Sequence, residues 1–394
     1  MQQIYRLSTD KVASLPLSLQ QTLSDHDIND KLDFVGFVLS ADEHFLLTVF
    51  PKHFVKDYHL LTSADIHLLF NVLLQYVLTT HTTAQGATYF EGNSSNMIYP
   101  FGAFLGIYDH YQKYGLYYGS CVQDVPRLTG KIDWKKTQAA SAKFISDDNV
   151  LYLPIFSKIK TTTTVFITEC MAYAINYTLK YFGFFFPDFR PVDYPTAQLD
   201  FKRQHLKVYQ QLLQLYAQIH QDTIKQLVRL LLIFYHGLGH YDVHSLFVIN
   251  HFDKVWEALV GHYLEFHFDF DKGKITTTVQ HNSQHFNFQY AFTPDEGPHH
   301  FKLLLDYYYQ TPDKQFILDA KYYAEPTSEL NYKQVAYHFL LQDQATTTID
   351  TLIFPTSGAS HYQDYFVFKT AHNAVIHINA YFLNVREALR FYIK

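Results

Sequence analysis

The chain is expected to fold as an α+β multidomain protein, and three observations predict it. Apolar runs of strand length bracket polar turns near both ends, at 34–54 and 303–323. Runs with apolar residues three and four apart fill 163–182 and 206–234. The stretch HGLGHYDVHS at 236–245 then separates this helical part from a strand-rich one. With 394 residues the chain has room for two or three domains. We divide it into an N-terminal α/β region (1–124), a mostly helical middle region (125–240) and a C-terminal mixed α/β domain (245–394).

Composition narrows the class. Aromatics make up 18% and charged residues 17%, which excludes a disordered chain. The two cysteines, Cys121 and Cys170, exclude a disulfide scaffold and a cysteine-based zinc site, and they fit a reducing cytoplasm. A net charge of −6 excludes a generally basic surface, so any grip on nucleic acid must be local or supplied by a partner. The opening MQQIYRLSTDK lacks the apolar core of a signal peptide. The most membrane-like stretch, 165–186, is interrupted by Glu169, Asn176 and Lys180 and reads as a buried helix. No membrane partner is expected.

Each element follows from local pattern. FVGFVLSADEHFLLTVFPKHF at 34–54 reads as a hairpin turning at 40–43, with Pro51 closing its second strand. Ser63 is expected to cap a helix over 64–78, where Ile66, Leu69, Phe70, Leu73, Leu74 and Val77 recur at helical spacing. The helical run 206–234 is expected to break near His220. FFFPDFRPVDYP at 184–195 reads as a connector. In the last third we expect a helix over 248–266, strands at 303–310 and 315–321, a helix at 331–341, a strand at 347–355, two further strands, and a closing helix near 385–392.

The chemistry concentrates in LLLDYYYQTPDKQFILDAKYY, 303–323. Two apolar strands flank the turn 311–314. Asp319 and Lys321 are two residues apart, so on a strand they share a face. Antiparallel pairing can bring Asp306 beside them. Two carboxylates and an ammonium form a set suited to phosphodiester hydrolysis. The carboxylates can hold Mg²⁺, and the lysine can orient a water and offset charge. In NHFDKVWEALVGHYLEF (250–266) Glu257 lies beside the apolar stripe of Val255, Trp256, Leu259, Val260, Tyr263 and Leu264, placed to face a cleft and reach a metal, often through water. In NYKQVAYHFLLQ (331–342) Gln334 is expected near the strand ends, within reach of the nucleophilic water or of DNA.

Together these residues resemble a PD-(D/E)XK nuclease core, and more narrowly the LlaJI and McrC-type restriction nuclease subunits. ILDAKYY resembles the catalytic strand of that family, VWEALV its Trp-Glu helix, YKQVAYH its Tyr-x-Gln-x-x-Tyr helix, and IDTLIFPTSG the closing strand. Asp306 takes the place of the first strand carboxylate, with Leu305 where the family has Pro. Pro312-Asp313 imitates the motif but lies in the turn, and we reject it as a ligand. VGFVLS…VFPKHF and GKIDWKKT resemble the N-terminal hairpin and the opening of the middle region. The resemblance implies a catalytic set of Asp306, Asp319, Lys321, Glu257 and Gln334, with Mg²⁺ held by Asp306, Asp319 and Glu257. It also implies double-stranded DNA as substrate and an McrB-like AAA+ GTPase as partner, docked through 1–124. The alternative is a non-catalytic assembly subunit that only activates such a GTPase. No phosphate-binding glycine loop is present, so the chain is not itself the NTPase.

Two other features carry less. His236, His240, Asp242 and His244 lack metal-site spacing. Trp134 reads as a core residue with Lys135 and Lys136 exposed.

Overall fold

A computed structural model of the chain describes residues 3–8, 34–40, 45–57, 60–82, 95–97, 99–127, 129, 131–146, 149–163, 165–239, 244–280, 284–293, 302–323, 332–341, 347–369 and 375–393. It forms two compact units, one of 1–99 with 241–394 and one of 100–240. The sequence division shares the junction at 240. It differs at the other end, because residues 100–124 group with the middle region and 1–99 group with the C-terminal part.

In the first unit, β1 (Gln3–Ser8) lies parallel to β3 (Phe45–Phe50), which pairs antiparallel with β2 (Val35–Ser40). This is the expected hairpin; residues 41–43 of its turn lie outside the described residues. Helix α1 (Ser63–Thr82) runs four residues past the expected end. Its cap is Thr62, one residue before the expected Ser63. Asp65 reaches back three residues and accepts from both the N–H and the hydroxyl of Thr62, each at 2.9 Å. The short β4 (Ser95–Met97) follows.

The second unit contains α2 (Phe101–Tyr114), β5 (Gly119–Val125), β6 (Lys131–Ile132), α3 (Trp134–Ala140), β7 (Ala142–Ser146), β8 (Asn149–Leu153), β9 (Ser157–Thr163), α4 (Phe166–Phe182), α5 (His205–Gln218) and α6 (Asp222–Gly239). The long helical run breaks at 219–221, as expected. Apart from a strand at the threonine run 161–164, which overlaps β9, the strands were not expected. Residues 119–163 hold a sheet ordered β5-β9-β6 and a separate β7–β8 hairpin. The hairpin exposes Phe144, Ile145, Val150 and Leu151, so its sequence carries no alternation of buried and solvated faces. Trp134 is not a core residue but 53% exposed, because α3 is short and buries Thr137 alone. The glycines at 237 and 239 were expected to end the helical period, yet α6 continues through both. Gly239 is required by close packing, since a Cβ there would lie 2.4 Å from the His205 ring.

The chain re-enters the first unit at β10 (His244–Ile249), so Val248 is in a strand rather than at a helix start. β10 inserts between β2 and β4, giving the order β1-β3-β2-β10-β4. Gly36 permits this approach. Its φ is +148°, and a Cβ there would lie 2.1 Å from the Phe247 carbonyl oxygen. The N-terminal strands are thus completed by a strand from the C-terminal third.

Next come α7 (Phe252–His267), β11 (Phe268–Asp269), β12 (Lys274–Ile275), β13 (Asn287–Phe292), β14 (Leu303–Gln310), β15 (Lys314–Ala320), α8 (Tyr332–Leu341), β16 (Thr347–Thr356), β17 (His361–Lys369), β18 (Val375–Asn384) and α9 (Val385–Tyr392). Among the described residues, six strands form a mixed sheet ordered β13-β14-β15-β16-β18-β17. β14 and β15 are the expected antiparallel hairpin, while β15–β16 and β16–β18 run parallel. α8 packs by Tyr337 and Leu341 on Leu303, Leu305, Tyr308 and Ile317. α7 buries the apolar stripe read from its sequence, Val255 through Leu264. The molecule is the expected α+β multidomain type. Among the described residues no helix is long and apolar enough to cross a membrane, and α4 is largely buried.

Candidate nuclease site

β15 delivers Asp319 and Lys321 to the end of the sheet. Residues 315–319 are buried because the strand is central and covered on both faces. Asp319 is 2% exposed. Lys321 lies just past the strand, yet its N–H still donates to the Ile353 carbonyl at 2.8 Å, which extends the parallel ladder by one residue. The two side chains therefore share a face, and they form a direct ion pair.

Asp306 joins them from β14. The β14–β15 ladder reaches Tyr307 opposite Leu318, and the same register places Asp306 opposite Asp319. Asp306 Oδ2 accepts from the Ala320 N–H at 2.9 Å. Burial, and then the neighbouring Asp319 charge, push the Asp306 carboxyl up to about 7. The Asp319 carboxylate meets only the Lys321 ammonium and the Asp306 carboxyl. Two carboxylates thus meet in a buried place with few donors.

Glu257 lines the same cleft as Asp306, a space of about 400 Å³ that Lys254, Gly261, Phe288 and Tyr307 also line. The buried Tyr307 hydroxyl donates to the Glu257 carbonyl at 2.6 Å and so fixes α7 over β14. The Glu257 carboxylate is held by the Lys254 ammonium at 2.8 and 3.1 Å. Among the described residues no three His, Cys, Asp or Glu side chains close around one point.

Gln334, expected near the strand ends, is anchored to the sheet. It is fully buried beneath α8, where its amide donates to Asp350 Oδ1 at 2.9 Å and to the Ile317 carbonyl at 3.3 Å. The sequence places it near the strand ends and does not reveal Asp350, which its amide bonds. His338 Nδ1 lies 2.5 Å from the other oxygen of Asp350. Burial raises the Asp350 carboxyl, with His338 and Gln334 opposing. This group pins α8 to the central strand β16.

Two lysines escaped the sequence reading. Lys254 stands three residues before Glu257, a spacing that forecasts a helical ion pair. Lys333 lies in the first turn of α8, its ammonium 5.3 Å from the Tyr337 ring centroid. Burial lowers Lys333, but the Tyr337 hydroxyl and the charges of Asp319 and Asp306 outweigh it and raise the group overall. Asp313 is confirmed as a turn residue; its carbonyl accepts from the Thr347 N–H, at the other end of β15 from Asp319. His236 is in the last turn of α6, residues 240–242 lie outside the described residues, and His244 begins β10.

Among solved structures, the chain is similar to one described as a refined half-complex from a tetradecameric assembly of Thermococcus gammatolerans McrB AAA+ hexamers with bound McrC. The identity is 12% and the TM-score 0.47, with 99% of this chain and 98% of that chain covered. No curated protein matches. The family model of the LlaJI restriction endonuclease matches residues 34–386, a span that contains Glu257, Asp306, Asp319 and Lys321, and the chain therefore belongs to the LlaJI restriction endonuclease family.

Proposed function

We propose that the chain is the Mg²⁺-dependent DNA-cutting subunit of a GTPase-coupled restriction system, with a PD-(D/E)XK-type site at the end of the β14–β15 hairpin. The observation that carries this reading is the meeting of Asp306, Asp319 and Lys321 at one sheet end, with Glu257 on the cleft wall. The order α7, β13–β15, α8, β16 around that hairpin supports the PD-(D/E)XK assignment.

The donor set fits Mg²⁺. Asp319 is buried, with only the Lys321 ammonium and the Asp306 carboxyl against its oxygens, and Asp306 is held near 7 by burial and by that neighbour. A hard divalent cation satisfies such a pair. Mg²⁺ ordinarily takes one or two carboxylates and fills its remaining positions with waters and phosphate oxygens. Asp306 and Asp319 would hold it, with Glu257 acting through water. When bound, the ion supplies charge neutralisation at the scissile phosphate and a more acidic water.

The chain's own groups do the rest. Lys321, steadied by Asp319, orients the attacking water and offsets the charge that builds on phosphorus. Lys254 keeps the Glu257 carboxylate directed along the cleft. Gln334 supports the site from behind, by holding Asp350 and the Ile317 carbonyl beside Asp319.

The partner reading, an McrB-like AAA+ GTPase, rests on the family resemblance of residues 34–54 and 130–137. The net charge of −6 agrees with DNA recognition residing in the partner. The deciding experiment is plasmid cleavage with Mg²⁺, an McrB-like partner and GTP, comparing wild type with Asp319→Ala. Cutting by wild type alone supports the nuclease. Equal cutting by both refutes the site. No cutting by either, with GTP hydrolysis still stimulated, favours the assembly-subunit alternative.

A further inference from the structure

The Phe-Pro-Lys segment at 50–52 belongs to the first unit yet has no role in the reading above. Its geometry gives it one. Pro51, Lys52, His53 and Phe54 form a tight turn, closed by Phe54 N–H donating to the Pro51 carbonyl at 3.3 Å. His53 stands at the third position with φ +59°, as a type II turn demands and as few side chains adopt. This strained turn grips the chain immediately after Lys321. The Lys52 backbone N–H donates to the Tyr322 hydroxyl at 2.7 Å. His53 Nε2 lies 3.2 Å from the Tyr323 carbonyl. The Lys52 ammonium sits 5.6 Å from the Tyr322 ring centroid.

The other side of Tyr322 meets α7. Its ring centroid is 5.2 Å from that of Phe252 and 6.4 Å from that of Trp256, the residue before Glu257. One side chain thus touches the start of the helix that carries Glu257, the turn after β3, and, through its own backbone, Lys321. β15 itself ends at Ala320. Strain confined to one turn, spent on a contact beside a reactive group, is the signature of a built constraint.

We propose that Tyr322 is a positioning residue of the nuclease site: its hydroxyl, held by the Lys52 backbone N–H, fixes the chain after Lys321 and so aims the Lys321 ammonium. The inference rests on the nuclease reading above. It assigns the Phe-Pro-Lys turn to the site as a clamp that works through its backbone, not through its cationic side chain.

The test uses the full chain with Mg²⁺, an McrB-like partner, GTP and a plasmid substrate. Tyr322→Phe removes only the hydroxyl and keeps the ring packing. Lys52→Pro removes the N–H donor together with the ammonium, at a turn position that suits proline. Each is expected to lower the rate at saturating DNA by about tenfold or more, in the range that outer-shell partners command. The half-saturating DNA concentration should not move. The double variant should be no slower than either single one, because both remove the same bond. Lys52→Ala loses the ammonium and keeps the N–H, so a loss there as large as that of Lys52→Pro overturns a clamp that works through the backbone. A wild-type rate in Tyr322→Phe overturns the clamp, as do additive losses or a loss found only in DNA affinity. If Tyr322→Phe folds poorly, Lys52→Pro alone still decides, since an unchanged rate there refutes the proposal. Asp319-dependent cutting that ignores both variants sinks the clamp only. Cutting that ignores Asp319→Ala sinks the nuclease reading beneath it.

Discussion

Asp306 takes the backbone N–H of Ala320 with its side chain, at 2.9 Å, at the point where the two strands stop pairing through their backbones. The distortion continues into β13. Gln289 is skipped in the ladder between Phe288–Tyr307 and Tyr290–Leu305, and it has φ +49°. The same register places Gln289 opposite Asp306, so the pair missing from the ladder on this side is Asp306's own. Gln289 and His53, both adjoining this site, are the non-glycine residues with positive φ among those described. Such strain collects where function requires geometry that packing alone would not choose.

Removing either member of the Asp319–Lys321 pair should stop the chemistry. Asp319→Ala and Lys321→Ala are each expected to lower cleavage by at least about a hundredfold, as losing a metal ligand or a water-orienting group does. Initial rates of plasmid cutting at fixed Mg²⁺ measure this. A rate unchanged in either variant refutes that residue's role.

Asp306 should leave a pH signature in the metal-free protein. Its carboxyl is raised to about 7 in the fold, above the ordinary range near 4. The folded state therefore keeps a proton that the unfolded chain has lost, and stability falls as pH rises between about 4 and 7. Asp306→Asn removes that penalty and can still accept from Ala320. Its thermal midpoint, measured with chelator present, should exceed that of wild type more at pH 8 than at pH 5. An equal difference at both would show that Asp306 does not carry the penalty. The same variant should not cut DNA.

Glu257→Ala should cost less than the strand variants, about tenfold, because a contact through water tolerates replacement better than a direct ligand. Its effect should appear as a higher Mg²⁺ concentration for half-maximal cutting. A hundredfold loss with unchanged Mg²⁺ dependence would place Glu257 in direct catalysis instead.

Gln334 and His338 should behave as structural residues. His338→Ala leaves the buried Asp350 without its closest partner, a change that costs about 3–5 kcal/mol when such pairs are broken. The denaturant midpoint should fall accordingly. Gln334→Ala should also destabilise, and the rate per folded molecule should stay near wild type. A selective loss of rate in stable Gln334→Ala would return it to the site.

The N-terminal strands should not be separable from the nuclease unit. Truncating residues 1–99 strips β10 of both β2 and β4, its neighbours in the sheet, so the remaining chain should be insoluble. Gly36→Ala, which presses a Cβ against the Phe247 carbonyl, should weaken the same pairing and lower the melting temperature. Partner docking must therefore be mapped by surface substitutions, with GTPase stimulation as the readout. A soluble, cutting 100–394 fragment would overturn this.

Local sequence pattern accounts for the β14–β15 hairpin, the strands and helix that follow it, and the shared face of Asp319 and Lys321. These rest on local rules: alternation along a strand, a two-residue face repeat, helical spacing of apolar groups. It likewise marked the break between α5 and α6 and the buried stripe of α7. What distance in sequence conceals was settled by packing. Asp350 is an apolar-strand aspartate in the sequence; packing of α8 over β16 makes it the partner that draws Gln334 inward. β10 is six residues with no turn signal of its own, and only pairing with β2 and β4 makes it an interior strand of a sheet. The β7–β8 hairpin buries neither face, so periodicity could not announce it. Lys52 and Tyr322 are 270 residues apart, and no local pattern joins a turn after one hairpin to the residue beyond Lys321. Short-range order is written in side-chain spacing, whereas the satisfaction of buried polar groups is settled by whichever element the finished fold brings within reach.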